Sequence, residues 1–133
     1  MQTPTPVTTP VSAKRQVLVV DDEPAVANVM EMMLRFEGHE VQTAPGAKEA
    51  LALLEESRFD FIITDYSMPE MKGDELAAII KQRWPKQPVI MLTAHAEMLK
   101  NSGRTMSGID ALINKPFLLE DLRTAMARSI ASV

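Results

Sequence analysis

The chain has 133 residues, 46% hydrophobic and 24% charged, and a net charge of −4 at neutral pH, which is typical of one soluble globular domain. It contains no cysteine, which excludes disulfides, thiolate metal sites and cysteine nucleophiles. Its basic residues are scattered, and neither a membrane-spanning run nor a secretory signal is visible. We therefore expect a cytoplasmic protein that binds neither nucleic acid nor membrane directly.

The first 14 residues are rich in proline, threonine and valine and carry almost no charge. This composition predicts a flexible tail or the remnant of a linker, because closely spaced prolines prevent a packed helix. The folded domain is predicted to span residues 15–131.

Five short apolar segments predict β-strands. The runs at 17–20, 61–64 and 89–92 are continuously apolar and rich in β-branched residues, as expected for strands covered on both faces. Shorter candidates lie at 39–43 and 111–114.

Between these segments, apolar residues recur at helical spacing, around 26–33, 47–54, 76–80 and 119–126. Pro24 is suited to the first turn of the first helix, and Gly38 to its end. The helix predicted over 96–106 is the weakest and is expected to be the most mobile, because Gly103 interrupts it. Alternating β and α units predict right-handed crossovers and a doubly wound parallel sheet.

The most informative residues follow the predicted strands. Asp21 and Asp22 follow the first, Asp65 the third, Thr93 the fourth and Lys115 the fifth. In such sheets ligands bind beyond the carboxyl ends of the strands. Three crowded carboxylates repel one another unless a cation lies among them, and oxygen ligands favour Mg²⁺, with Mn²⁺ as an alternative. An ammonium, a hydroxyl and a nucleophilic carboxylate suit an acyl phosphate.

Each residue also has a simpler interpretation when taken alone. Asp21 and Asp22 could only favour the start of a helix, and Asp65 could only open a turn. Thr93 could be an ordinary strand-end hydroxyl, and Lys115 a solvated surface charge. Their joint occurrence at strand ends favours a single site.

Four motifs together resemble the response-regulator receiver domain of two-component, His-Asp phosphorelay signalling. They are Asp21-Asp22-Glu23, Asp65-Tyr66-Ser67-Met68-Pro69 with Gly73 after it, Thr93-Ala94, and Lys115-Pro116-Phe117. The resemblance runs from about residue 16 to residue 129. It implies a flavodoxin-like, five-stranded parallel sheet in the order 2-1-3-4-5 with five helices.

The resemblance also implies roles for the acids. Asp65 would accept a phosphoryl group from a sensor histidine kinase or a histidine phosphotransfer protein. Asp22 and Asp65 would bind Mg²⁺ directly, together with the backbone carbonyl of Ser67. Asp21 would act through a coordinated water.

The remaining site residues would act on the phosphoryl group. Lys115 would pair first with Asp65 and then with the phosphoryl oxygens, and Thr93 would move to hydrogen-bond them. The Lys115-Pro116 peptide is usually cis in this family. The resemblance implies only self-phosphorylation and autodephosphorylation, with output to a downstream protein docked on the last two helices and strand. The same helices are compatible with a dimer.

Three positions modify this picture. Leu112 stands where receivers usually carry the tyrosine or phenylalanine that couples to the threonine movement. The simpler interpretation, which we favour, is that this leucine only packs, but without an aromatic ring the usual readout is in doubt. Ser67 and His95 lie two residues after the acceptor and the threonine, where they could affect phosphoryl lifetime. His95 could instead be a solvent-facing histidine without a role.

Two other classes of function stay open. A hydrolase or nucleotide-binding protein is disfavoured because no glycine-rich loop follows the first strand and no aspartate follows Asp65 two residues on. A degenerate receiver that serves only as a docking module is supported best by Leu112. The chain could be a single-domain regulator or a receiver excised from a hybrid kinase.

Overall fold

The structure is a computed structural model, and it describes residues 14–101 and 108–131. Five strands alternate with five helices in chain order. The elements are β1 (Gln16–Val20), α1 (Pro24–Phe36), β2 (Glu40–Ala44), α2 (Ala47–Glu56), β3 (Phe61–Asp65), α3 (Gly73–Arg83), β4 (Val89–Thr93), α4 (Ala96–Asn101), β5 (Ala111–Asn114) and α5 (Leu119–Ala131).

All strand pairs are parallel, and the order across the sheet is β2-β1-β3-β4-β5. The predicted doubly wound fold and its strand order are confirmed. The order reverses between β1 and β3, where Val20 lies opposite Thr64. One strand further, Asp65 lies opposite Leu92 of β4. The carboxyl ends of β1, β3 and β4 therefore meet at one edge of the sheet.

The helices cover both faces of the sheet and explain the apolar strand sequences. On one face, α1 and α5 pack against Val17 and Val19, and on the other, α2 and α3 pack against Leu18 and Val20. Because successive side chains of a strand point to opposite faces, β1 buries all four of these residues. The strands β3 and β4 are buried along their whole length.

The predicted boundaries were close but not identical. Pro24 begins α1, and Gly38, at a φ of 94°, follows its end in the left-handed conformation that suits glycine. The second strand begins at Glu40 and not at residue 39. Of the predicted fourth helix, residues 102–106 lie outside the described residues, as does nearly all of the predicted tail. Within the described ranges, no helix is both long enough and apolar enough to cross a membrane.

His39 is buried just before β2 because it closes the lower edge of the sheet, where the strands begin. Its Nδ1 accepts a hydrogen bond from the backbone N–H of Arg15 at 3.1 Å. The Arg15 carbonyl in turn accepts from the N–H of Glu40 at 2.9 Å. Burial lowers the pKa of His39, an effect that the nearby Glu37 carboxylate partly opposes.

We predict that protonation of His39 destabilises the fold. In the unfolded chain His39 titrates near its ordinary pKa of 6.5, whereas the folded state keeps it neutral to lower pH. The contribution to stability is therefore present above about pH 6.5 and is lost as the pH falls below it, by about 1.4 kcal/mol for each unit of pKa difference. Urea denaturation between pH 7 and pH 5 measures this loss.

The variant His39→Asn keeps an acceptor for the Arg15 N–H but cannot take up the proton, so its stability should decline less over this range. The matched control is His95→Asn, because His95 is exposed and is the other histidine of the chain. Equal pH dependence in the two variants would contradict the prediction.

Candidate functional site

Three carboxylates meet at the crossover between β1 and β3. Asp21 and Asp22 directly follow β1, and Asp65 is the last residue of β3. One ligand oxygen from each lies within 4.8 Å of the other two. Asp21 and Asp65 are buried, and Asp22 is the least buried of the three. The parallel pairing of two strands thus concentrates negative charge in a small, largely buried space.

Asp21 carries the clearest sign that the cluster fits a cation. Its Oδ1 accepts a hydrogen bond from the N–H of Glu23 at 2.9 Å, but its Oδ2 is buried and has no hydrogen-bond partner among the described residues. The pKa of Asp21 is raised to about 6: burial and the charge of Asp65 raise it, and the hydrogen bond from the Glu23 N–H partly opposes them. A buried acceptor without a donor, beside two further carboxylates, suits a hard cation such as Mg²⁺.

Lys115 supplies the positive charge of the site. It follows β5, and its Nζ lies 2.9 Å from Oδ1 of Asp65. The Lys115-Pro116 peptide is cis, as the resemblance implies. Burial raises the pKa of Asp65, whereas the hydrogen bond and charge of Lys115 lower it. Burial lowers the pKa of Lys115, but its contact with Asp65 outweighs this and the pKa is raised. The lysine is therefore fully charged at neutral pH.

Thr93 is the last residue of β4, one position beyond the residue that lies opposite Asp65. It is buried, and its Oγ1 accepts a hydrogen bond from the N–H of His95 at 3.0 Å. Because this bond uses a lone pair of the hydroxyl, the hydroxyl proton stays available for another acceptor. Thr93 is thus a buried donor on the strand next to the acidic cluster.

The other predicted positions lie outside this buried group. Ser67, in the loop after β3, and His95, just before α4, are exposed, and in the described chain no hydrogen bond links either side chain to the acids. A role for the Ser67 carbonyl in metal binding stays a prediction. Leu112 is half-buried on the edge strand β5.

Two contacts near the site could not be predicted from the sequence motifs alone. The N–H of Gly73, at the start of α3, donates to the carbonyl of Tyr66 at 2.8 Å, and a Cβ at Gly73 would lie 2.4 Å from the Asp65 carbonyl oxygen. The side chain of Asn114 accepts from the N–H of Ala96 at 3.3 Å, which connects the end of β5 to the start of α4. The motif includes Gly73, but the sequence does not explain why a glycine is needed there. Nothing in the sequence indicated a structural role for Asn114.

Comparisons with known proteins agree with this geometry. The family model described as the response regulator receiver domain matches residues 17–127. The transcriptional regulatory protein TrcR of Mycobacterium tuberculosis is 34% identical over 107 residues, which are 80% of this chain and 42% of TrcR. The chain thus spans less than half the length of this curated relative.

Solved structures show the same architecture. The chemotaxis response regulator CheY4 of Vibrio cholerae is 32% identical, with a TM-score of 0.78 over 88% of this chain and 99% of that one. TrrA of Thermotoga maritima, in complex with Mg²⁺-BeF, is 30% identical, with a TM-score of 0.78 over 86% of this chain and 98% of that one. The motifs, the strand order and these matches agree, and the chain belongs to the response regulator receiver domain family.

Proposed function

We propose that this receiver domain is a Mg²⁺-dependent phosphoacceptor switch in a two-component phosphorelay, with Asp65 as the acceptor. The phosphoryl donor would be a phosphohistidine on a sensor histidine kinase or a histidine phosphotransfer protein. The observation that carries the proposal is the 2.9 Å contact of Lys115 with Asp65 beside the acidic cluster. A carboxylate in that position contacts a cation and lies within 4.8 Å of two further acids.

Asp21, Asp22 and Asp65 are the residues that would hold the metal ion. Their oxygen-only chemistry suits Mg²⁺, and Mn²⁺ would satisfy the same ligands. The related TrrA structure contains Mg²⁺-BeF. When bound, the ion neutralises the acids and the charge that develops on the phosphoryl oxygens.

Asp65 performs the transfer as a nucleophile. Lys115 engages Oδ1, which leaves Oδ2 to attack the phosphorus. A new bond forms between phosphorus and this oxygen as the bond from phosphorus to the histidine nitrogen breaks. That nitrogen keeps the bonding electron pair and takes a proton from solvent, so the donor histidine leaves as a neutral imidazole. The Lys115 ammonium stabilises the charge on the transferring group.

The transferred group would change the hydrogen bonding of its neighbours. It adds acceptor oxygens beside Thr93, whose hydroxyl proton is free to donate to them. A movement of Thr93 would disturb its bond with the His95 N–H and thereby the start of α4, where Ala96 also depends on Asn114. Leu112 has no phenolic group that could follow such a movement. We therefore propose that α4 and the loop before it transmit most of the conformational change.

A protein partner would receive this signal on the α4–β5–α5 side. Met98 of α4 and Leu118 before α5 are large apolar side chains that are 65% and 68% exposed. Exposed residues of this kind are frequent at protein interfaces.

We propose no other catalytic activity than self-phosphorylation and autodephosphorylation, since residue 67 is a serine and offers no second acid.

We predict that Asp65→Asn abolishes phosphorylation. Incubation with a small acyl phosphate and Mg²⁺ should add one acid-labile phosphate to the parent chain and none to the variant, because an amide is a poor nucleophile. The matched control is Asp60→Asn, since Asp60 lies just before β3, at its other end. Uptake of phosphate by Asp65→Asn at the parent rate would contradict the proposed acceptor, and turnover of many donor molecules per chain would indicate a hydrolase.

We predict that the cation and the proton compete at Asp21. Without Mg²⁺, the raised pKa means that the folded state holds this proton more tightly than the unfolded state does. Stability should therefore fall as the pH rises from about 4 to about 6, by at most roughly 3 kcal/mol. Mg²⁺ should restore stability above pH 6, and its Kd should increase about tenfold for each pH unit below 6.

Thermal unfolding with and without Mg²⁺ between pH 5 and pH 8 measures both effects. Asp21→Asn should bind Mg²⁺ more weakly at neutral pH and with a flatter pH dependence. An Mg²⁺ affinity of the parent chain that is the same at pH 5 and pH 7 would be inconsistent with a cation at Asp21.

We predict that Gly73→Ala damages the acceptor. The new methyl group would meet backbone atoms of Asp65 and Tyr66, which cannot rotate away, so we expect a loss of about 1–3 kcal/mol of stability and slower phosphorylation. The control is Gly46→Ala at the start of α2, whose nearest neighbour is the flexible side chain of Glu49 at 3.1 Å. Equal phosphorylation rates in the two variants would show that the Gly73 contact does not hold the acceptor.

A further inference from the structure

A cavity with a volume of about 930 Å³ lies at the opposite end of the sheet from Asp65. Its lining includes Arg15, which precedes β1, Phe61, which begins β3, and Pro88, which precedes β4. We call it the lower cleft. Its volume is within the roughly 300–1,000 Å³ range of small-molecule sites in proteins.

The lower cleft has an apolar wall that includes three aromatic residues. Leu54, Phe59 and Phe61 are buried and contribute to the lining, and Trp84 is half-buried. The backbone of Trp84 is held in place, because its N–H donates to Ile80 at 2.7 Å and its carbonyl accepts from Gln87 at 3.0 Å. The Arg83 guanidinium lies over the indole, 4.7 Å from the ring centroid, so a flat apolar ligand would pack beside the indole and against the aliphatic and phenyl groups.

The charges of the lower cleft favour an anion. Arg15, Arg58 and Lys86 line it, and in the described part of the chain none of these side chains has an ion pair or hydrogen bond. Two acids of the lining are already engaged, Glu55 by Arg83 and Asp60 by the N–H of residue 16. Because that N–H is neutral, Asp60 keeps its charge. These three cations therefore face two carboxylates, Glu56 and Asp60, and the lining carries one net positive charge.

Arg15 is the residue best prepared to bind such an anion. Its Nε is buried and has no hydrogen-bond acceptor within the described residues. Its backbone is fixed on both sides by His39 and Glu40, so the side chain extends from a rigid base. Buried donors are rarely left without a partner in folded proteins, and an acceptor supplied by a ligand would satisfy this one.

We propose that the lower cleft binds a small organic anion with a flat apolar group, whose acidic group pairs with Arg15 while its ring packs beside Trp84. The site is separate from the phosphoacceptor and does not depend on it. A carboxylate, sulfonate or phosphate shares the required chemistry, because each offers the guanidinium two oxygen acceptors.

The probe for this proposal is 8-anilinonaphthalene-1-sulfonate, compared with the uncharged N-phenyl-1-naphthylamine. Trp84 is the only tryptophan of the chain, so its emission reports on the cleft without ambiguity of origin. The sulfonate should quench Trp84 saturably and protect it from acrylamide. Arg15→Gln should weaken sulfonate binding about tenfold and leave binding of the neutral probe unchanged.

Three variants distinguish binding in the lower cleft from binding elsewhere on the protein surface. Phe36→Ser removes an apolar side chain that is 81% exposed on α1, outside the cleft, and Asp65→Asn removes the acceptor. Both should bind the sulfonate like the parent chain. Arg58→Gln should weaken it, which provides a second test if Arg15→Gln proves unstable to heat. Equal binding of the sulfonate to the parent and to both arginine variants, or loss of binding in Phe36→Ser, would overturn the proposal.

Discussion

The accumulation of negative charge at the ends of β1 and β3 is the constraint on which the upper edge of the molecule depends. Three carboxylates share this space, and Lys115 contacts one of them, Asp65. One ammonium cannot balance three acids, and the pKa of Asp21 is raised to about 6, chiefly by burial and further by the charges of Asp65 and Asp22. The site is therefore built in a state of unbalanced charge, which a metal ion and then a phosphoryl group can change.

The sheet holds the acids together despite their mutual repulsion, because the strands that carry them cannot easily move apart. β1 and β3 are adjacent, parallel and covered by helices on both faces, so moving Asp21 away from Asp65 would disrupt the core. Gly73 adds a second restraint from the start of α3, where its hydrogen bond with Tyr66 fixes the backbone after the acceptor. Rigid strands thus support the reacting groups, whereas the exposed loops beyond them are free to respond.

Much of this arrangement could be predicted from the sequence because two-sided burial leaves a continuous apolar pattern. β3 and β4 were predicted to within one residue, and the polar residues after them indicated the site edge. The predicted start of β2 at residue 39 was wrong. His39 is buried, but its side chain accepts a hydrogen bond from Arg15, 24 positions away, which the local pattern does not reveal. The roles of Gly73 and Asn114 depend on similar non-local contacts, which periodicity does not record. The strand order came from the resemblance and not from the pattern itself.

The length of β3 has a consequence for the two ends of the molecule. Phe61 lines the lower cleft and Asp65 ends the same strand, so four steps of about 3.3 Å, or roughly 13 Å, separate their Cα atoms. Ligands of ordinary size at the two ends could not touch. A receiver of this kind could hold an organic anion and a phosphate simultaneously, and β3 and its neighbours β1 and β4 are the buried strands that join the two ends.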